Sequence, residues 1–570
     1  MRRPKATWCA LVLVALLAMP EQARAQRVLG PGDDALVLPR GVVRVRVLSQ
    51  WNRFDQRYGS NTPGRANGAL EPLAIDFNLD TVGVAQFPNL ARVQGGLGLL
   101  AGIPDFRLSL GRTVVNSSVT VNVTPIVLEA GLTSKISVGL TVPIVKTRND
   151  IAFDVNPAGR EGNVGFIPSA QRGAFTDTTN KMLAQFSATV TQLRTNQANC
   201  VGVNSAYCNF LNSNAANAAN LIASAGQFYV GLSQLYAVSP FIPVAGSEVQ
   251  SSLEARVSSF NQSFKSLITG NPGSALNFLT TLPFASPSRL TVADAQTILT
   301  AQPFGVRADP LQTIERSHIG DIEFGTKYLF LDSFHGSTKA RLDPHGFNYR
   351  SAVTGLIRFG TGQTDSPDNF VDVGTGGGQN DLEVRSANDL LFGNHFWVSL
   401  TGRAVRQLKD DQTVRISDRP ERTLTAFYRR QKVQRDLGDY VEFEANPRYA
   451  INDYFQVTGH YFFRKKAEDK YSGRFEIDTL VTGFNDPTSP VPGKFVIDAS
   501  TLNLETEQVE HRLGAGLSFS TIAAFEKGTS KIPMEITYLH FQTTKANGGN
   551  VPKLFGDQVQ LRLYARLFGK

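Results

Sequence analysis

Hydrophobic and polar residues alternate one for one along two neighbouring stretches, Asp381–Leu391 and Phe396–Gln407. In the first, Leu382 and Val384 alternate with Asp381, Glu383 and Arg385; in the second, Phe396, Val398 and Leu400 alternate with Ser399, Thr401 and Arg403. A period of two sends successive side chains to opposite faces of a strand, so each stretch has an apolar face and a charged one. Phe392–His395 between them is short enough for a hairpin turn. The same alternation predicts strands over Gly41–Trp51, Arg112–Leu128, Lys135–Ile144, His318–Phe330, Phe347–Gly360, Tyr440–Tyr449, Phe455–Lys465, Glu507–Phe519, Met534–Thr543 and Gln558–Phe568. That makes roughly twelve strands, an even number.

Between Lys146 and Ser317 the period changes to three and four. Met182, Phe186, Val190 and Leu193 repeat this way, then Leu221, Phe228, Leu232 and Leu235, then Val249, Leu253, Val257, Phe260, Phe264 and Leu267. These are amphipathic helices, and Thr291 with Asp294 looks like a capping box that opens another. The pattern divides the chain into a leader (1–25), N-terminal barrel strands with a first long loop (26–147), a helical insert (148–317) and C-terminal strands (318–570). Within Arg53–Pro104, read as a long loop, Leu70–Leu79 or Leu97–Leu100 is expected to fold back into a cavity.

An apolar strand face needs a solvent of its own, supplied by a second sheet in a sandwich or by lipid around a barrel. The connections decide for lipid. One end carries short turns, such as Gly131–Ser134, Phe392–His395 and Ala450–Tyr454. The other carries long loops, among them Phe54–Pro104, Thr361–Asn380, Leu408–Asp439 and Lys466–Thr506. Short periplasmic turns and long outer loops are the signature of an outer-membrane barrel. The expected fold is an all-β membrane protein, a transmembrane antiparallel barrel with a large helical extracellular insert.

The first residues agree. Arg2, Arg3 and Lys5 precede a short apolar run, Trp8–Met19, and Ala23-Arg-Ala25 offers a cleavage site, which is the form of a secretory signal. Export from a Gram-negative cell implies the outer membrane, outer-membrane lipid as the surroundings and the barrel assembly machinery as a partner. The 570-residue chain has a formal charge of +8, of which the leader holds three, leaving about +5. Spread so thinly, that charge excludes a nucleic-acid footprint. Cys200 and Cys208, close together in an exported chain, predict a disulfide.

Gly320–Tyr328, Arg358–Gly362, Asp365–Gly378 and Asp381–Gln407 together resemble the outer-membrane proteins named for the meta-pathway of phenol degradation. Those are distant relatives of the channels for long-chain fatty acids and aromatic hydrocarbons. The resemblance covers Ile136–Ile144 and His318–Arg464 but not the insert. It implies a barrel for passive passage of small, apolar or aromatic molecules of unspecified identity.

The charged strand faces are the candidate functional surface. Arg44, Arg46, Lys135, Asp321, Glu323, Arg358, Glu383, Arg385, Arg403, Glu442, Glu444, Arg448, Arg464, Arg512, Arg562 and Arg566 are expected to line the lumen. They either fill it by pairing with one another or form a constriction of mixed charge. Asp365, Asp368 and Asp372 are a candidate calcium site, although their spacing is not that of a helix–loop–helix site and solvated turn aspartates are commoner. No other cofactor is expected. His335-Gly-Ser337 reads as a turn rather than a catalytic pair, and no convincing nucleophile marks an enzyme. The alternative to a channel is a plugged structural or surface-binding barrel whose helical insert is the interaction module.

Overall fold

In the computed structural model of the protein, the strands follow one another round a single antiparallel sheet: β1 (Val42–Phe54), β2 (Thr113–Gly131), β3 (Ile136–Val155), β4 in two segments (Ile314–Ile319 and Ile322–Asp332), β5 (Phe347–Phe359), β6 (Asp381–Phe392), β7 (Phe396–Gln407), β8 (Tyr440–Ala450), β9 (Phe455–Lys466), β10 (Gln508–Ser520), β11 (Met534–Asn547) and β12 (Phe555–Arg566). Each pairs with its neighbours in sequence, and β1 pairs with β12 from Val42↔Arg566 to Arg53↔Phe555. The sheet is therefore a closed twelve-strand barrel. The structure describes residues 34–59, 66–158, 162–167, 172–280, 289–333, 346–418, 423–478, 494–526 and 528–566. The expected leader and His335-Gly-Ser337 lie outside them.

The alternation sorts as expected. Val384 is 59% exposed on the outer wall while Glu383 is 2% exposed inside. Phe347, Phe392, Phe396, Tyr449, Phe455 and Phe519 are outward near the short turns, and Trp51, Phe324, Phe359, Phe443 and Phe555 near the long loops. Two aromatic girdles flanking an apolar band are the outer surface that lipid requires, so the barrel is transmembrane. Gly393, at φ 64°, makes the three-residue turn from β6 to β7.

Two strands outrun the membrane. β2 and β3 are 19 and 20 residues long, against roughly ten needed to span. In their upper halves Asn116, Ser118, Lys146 and Arg148 face out while Val115, Val119, Phe153 and Val155 face in. The outer face has left lipid for water, so the strand continues to Val155 without the apolar face that marked it in the sequence. The insert accordingly lies between Val155 and Ile314, shorter at both ends than 148–317.

The insert has a core of its own. It contains α2 (Arg172–Asn199), α3 (Ala206–Ser213), α4 (Ala215–Val238), α5 (Glu248–Thr269) and α6 (Val292–Thr300). Val249, Leu253, Val257, Phe264 and Leu267 are buried along α5, and Thr291 and Asp294 form the expected capping box at α6. Phe186, Phe228 and Phe260 meet from three helices with ring centroids 5.2–5.8 Å apart. The first loop joins this core through α1 (Ala91–Ala101), which covers Leu97–Leu100. Arg256 of α5 donates to the carbonyls of Leu99 and Leu100 at 2.9 and 2.8 Å, capping the C-terminus of α1. Leu97 and Leu100 thus pack on the insert and not in the lumen. A second apolar cluster, Ile416, Tyr428, Val433, Ile477 and Ile497, joins the loops after β7 and β9. Together the loops roof one end of the barrel.

Cys200 and Cys208 are bonded. They tie the end of α2 to α3, where Ser205 accepts from the Cys208 N–H, and Tyr207 donates to the Leu267 carbonyl at 3.0 Å.

Two outcomes follow from this architecture. Leu400→Arg, on the outer wall near mid-strand, is expected to cost about 2–4 kcal/mol of barrel stability, whereas Leu504→Arg, exposed in the cap, should stay within about 0.5 kcal/mol; urea-driven unfolding in vesicles measures both. Cys200→Ser with Cys208→Ser removes closure of a short loop, below the ~3 kcal/mol of a fifteen-residue one. The double variant should loosen the α2–α3 connection to protease while the barrel keeps its heat-modifiable migration in gels.

Candidate functional site in the barrel lumen

Beneath the cap the lumen opens into a cavity of ≈ 720 Å³. Its two walls differ. On β1–β3 it is lined by Leu48, Val123, Pro125, Val127 and Pro143, with Arg46, Glu129, Ser137 and Thr141 nearer the short turns, and higher up Val119 and Val121 pack with Phe54 and Val145. On β4–β10 it is charged. The apolar wall comes from an inverted alternation: β2 turns its valines inward.

The charged wall is a chain of pairs running strand to strand. Arg358 donates to Glu323 at 2.6 Å and to Asp381 at 2.6 Å, and reaches Glu383 at 3.3 Å. Arg385 holds Glu383 at 2.8 Å. Arg403 bonds Glu444 at 2.6 Å and Glu442 at 3.2 Å; Arg464 takes the other Glu442 oxygen at 2.8 Å. Arg512 pairs with Glu510 at 2.6 Å and lies 5.0 Å from the centre of the Phe462 ring. Cross-strand register makes this chain, since Arg403 sits opposite Glu442 and Glu442 opposite Arg464. A charge withdrawn from water must be paired and hydrogen-bonded, and here Arg358 and Arg403 bridge acids on neighbouring strands, Arg464 pairs across to Glu442, and Arg385 and Arg512 pair with acids on their own strands.

The short-turn end is filled differently. Residues 34–38 turn into the barrel, with Ala35 and Leu38 buried. The Ala35 N–H donates to Asp389 at 3.1 Å and Lys327 Nζ to the Asp34 carbonyl at 3.1 Å. The Asp34 carboxylate lies 3.5 Å from Arg562 and 3.8 Å from Arg44, which also pairs with Glu129. Residues 34–38 therefore occupy the lumen below the cavity. Sequence reasoning missed them, because a short apolar run ahead of a strand carries no period.

Of the residues expected in the lumen, those of the charged chain face inward, as do Arg46 at the cavity and Arg44, Arg448 and Arg562 near the short-turn end. Lys135 is a correction. It is exposed in the turn before β3, because the Thr133 hydroxyl accepts the N–H groups of Lys135 and Ile136 at 3.1 and 2.9 Å and the strand starts only there. The Arg566 side chain lies outside the described residues.

The loop 361–380 overhangs the cavity with Pro367, Asn369 and Phe370. Its three aspartates diverge. Asp365 accepts from the Gly374 N–H, Asp368 pairs with Arg415 and Arg430 at 2.8 Å each, and Asp372 pairs with Arg316 at 3.0 Å. Burial pushes the Asp372 carboxyl above its usual range, against the Ser366 N–H and Arg316. Among the described residues no three His, Cys, Asp or Glu side chains gather as a metal site.

Arg415 is the cap residue least visible beforehand. Its guanidinium donates to the carbonyls of Val306, Thr425 and Arg307 at 2.6, 2.7 and 3.0 Å, and to Asp368. It also lies 5.1 Å from the centre of the Phe370 ring and 5.6 Å from that of Phe427. One side chain thus joins the end of the insert, the overhanging loop and the loop after β7.

No family model and no curated protein matches the chain. Among solved structures it is similar to an outer membrane channel from Pseudomonas putida F1, with a TM-score of 0.39, 8% identity and coverage of 94% of this chain and 100% of that one. It is similar also to a toluene transporter from Ralstonia pickettii (TM-score 0.26, 8% identity, 93% and 90% covered). A monoaromatic hydrocarbon channel gives a TM-score of 0.24 at 8% identity, with 94% and 90% covered.

Removing Arg415 leaves three carbonyls short of a donor, while Asp368 keeps Arg430. Arg415→Ala should destabilise the cap by about 1–3 kcal/mol for each buried carbonyl left without a donor. Limited proteolysis of protein in detergent reads this as new cleavage within residues 300–313, 361–380 and 408–439, with the barrel strands protected. Arg415→Lys should rescue little, since an ammonium cannot reach four acceptors in one plane.

Proposed function

We propose that the protein is an outer-membrane channel for passive passage of small molecules with substantial apolar surface. The observation that carries this reading is the two-walled cavity inside a closed transmembrane barrel. An aromatic or aliphatic body would lie on the Leu48–Val123–Val127–Pro143 wall, and a hydroxyl or carbonyl would face the ion-paired wall. That wall is already paired within itself, which favours neutral cargo over free anions or cations. Outer-membrane residence, export by a cleaved signal and insertion by the barrel assembly machinery belong to the same reading; the asymmetry between short turns and long loops supports them. A calcium ion on the Asp365–Asp372 loop is no part of it.

In this account residues 34–38 are the closed gate, and passage requires them to yield. The same segment favours the rival reading, a sealed barrel whose cap is the working part. Planar bilayers separate the two. A channel should give small, fluctuating conductance steps, and a variant lacking residues 26–38 should conduct severalfold more. Liposome swelling with a neutral aromatic alcohol should follow the same order. A barrel that stays sealed with and without those residues would leave the sealed reading.

A further inference from the structure

The two segments of β4 are separated by Gly320 and Asp321, and this break holds the roof of the cavity in place. Opposite it stands Pro143, whose carbonyl accepts the Gly320 N–H at 2.8 Å. Proline has no N–H to give back, so the ladder loosens here and Asp321 is free to turn inward. Its two carboxylate oxygens reach opposite ends of the overhanging loop: Oδ1 accepts the Gly362 N–H at 2.8 Å and Oδ2 the Gly377 N–H at 2.9 Å. Thr361 adds a third tie, its hydroxyl donating to the Gly320 carbonyl at 2.8 Å and accepting the Ile322 N–H at 3.0 Å. The loop backbone has closed tightly round the carboxylate. A Cβ on Gly376 would fall 2.5 Å from Asp321 Oδ1 and 2.7 Å from its Cγ, and one on Gly362 would fall 2.8 Å from Oδ1.

We infer that Asp321 is a positioning residue that clamps both ends of the 361–380 loop and thereby sets how far that loop closes the cavity. Its carboxylate serves as an internal anion for two backbone N–H groups, a use normally met by a bound ligand. With the ends pinned, the middle of the loop can only lean over the lumen, where Asp368 meets Arg415 and the Val371 carbonyl accepts from Asn149 at 2.9 Å. What the loop constricts rests on the channel reading; the clamp does not.

The test uses the full-length mature protein with Thr364→Cys as a reporter. Thr364 lines the cavity, and Cys200 and Cys208 are bonded to each other, so the reporter is a single free thiol. Labelling by a membrane-impermeant maleimide should be at least about tenfold faster after Asp321→Ala, which frees the loop. Gly376→Ala should act alike, because its methyl group collides with the carboxylate; Gly376 has no left-handed backbone to strain. In the double variant the methyl group enters the vacated space, so labelling should be no faster than with Asp321→Ala alone. Two unrelated packing faults would multiply instead. Heat-modifiable migration confirms that each barrel has folded. Labelling within about twofold of the parent after Asp321→Ala, or multiplied effects in the double variant, would overturn the clamp. Conductance is read in parallel. A silent parent with accelerated labelling upholds the clamp and removes the channel reading; a conducting parent with unchanged labelling does the reverse.

Discussion

Closure of β1 on β12 is the constraint from which the rest follows. In lipid no water is on hand for an unpaired backbone N–H or carbonyl, and each one left open costs several kcal/mol. A sheet of this length has two edges until Val42–Arg53 meets Phe555–Arg566, and then it has none. Closing also creates an inside. Every second side chain is delivered to a shared interior, and whatever sits there must be reconciled with its cross-strand neighbours. The Arg358, Arg403 and Arg464 bridges are the result: register places acids opposite arginines on strand after strand. They are a consequence of the fold more than its cause, since a buried ion pair seldom adds net stability over apolar packing.

The barrel could be read in the sequence because lipid enforces a strict period on it. Leu382, Val384, Val398 and Leu400 announce their faces locally, and strand ends fall within a few residues of those expected. Where the solvent changes, the reading fails. β3 runs on past Ile144 to Val155 because its upper part stands in water, with Lys146 and Arg148 turned out. The helices of the insert were legible for the same reason as the strands, their period being local. Residues 34–38 and Arg415 were not. Ala35 bonds to a carboxylate 354 positions away, and Arg415 to carbonyls 108 and 109 positions back. Partners so distant, or belonging to the backbone, leave no mark in the composition around them.

The cap shows how loops of this length keep a shape. Fixing so much chain costs about 1–2 kcal/mol per residue in backbone entropy alone, and hydrogen bonds on the surface could not offset it. Two apolar clusters do. One gathers α1 to α6 with Val371 and Leu424 from two other loops, the other joins the loops after β7 and β9. Arg415 lies between them, bound to carbonyls on one side and to Asp368 on the other. The roof of the cavity is thus built from segments remote in sequence, and its shape depends on all of them.

The two-walled lumen has a further physical consequence. Arginines that each face one or more carboxylates project little net field into the cavity, although every one is fully charged. A free ion entering would have to replace its hydration shell with groups already committed to one another, at a steep desolvation cost. A neutral molecule meets no such barrier. It can lay apolar surface on Val123, Val127 and Pro143, at about 25 cal/mol per Å² removed from water, and offer a single dipole to the opposite wall. Dense charge inside the barrel is therefore compatible with the uncharged, partly apolar cargo proposed for it. The pairing that reconciles the charges with burial is what withholds them from ions.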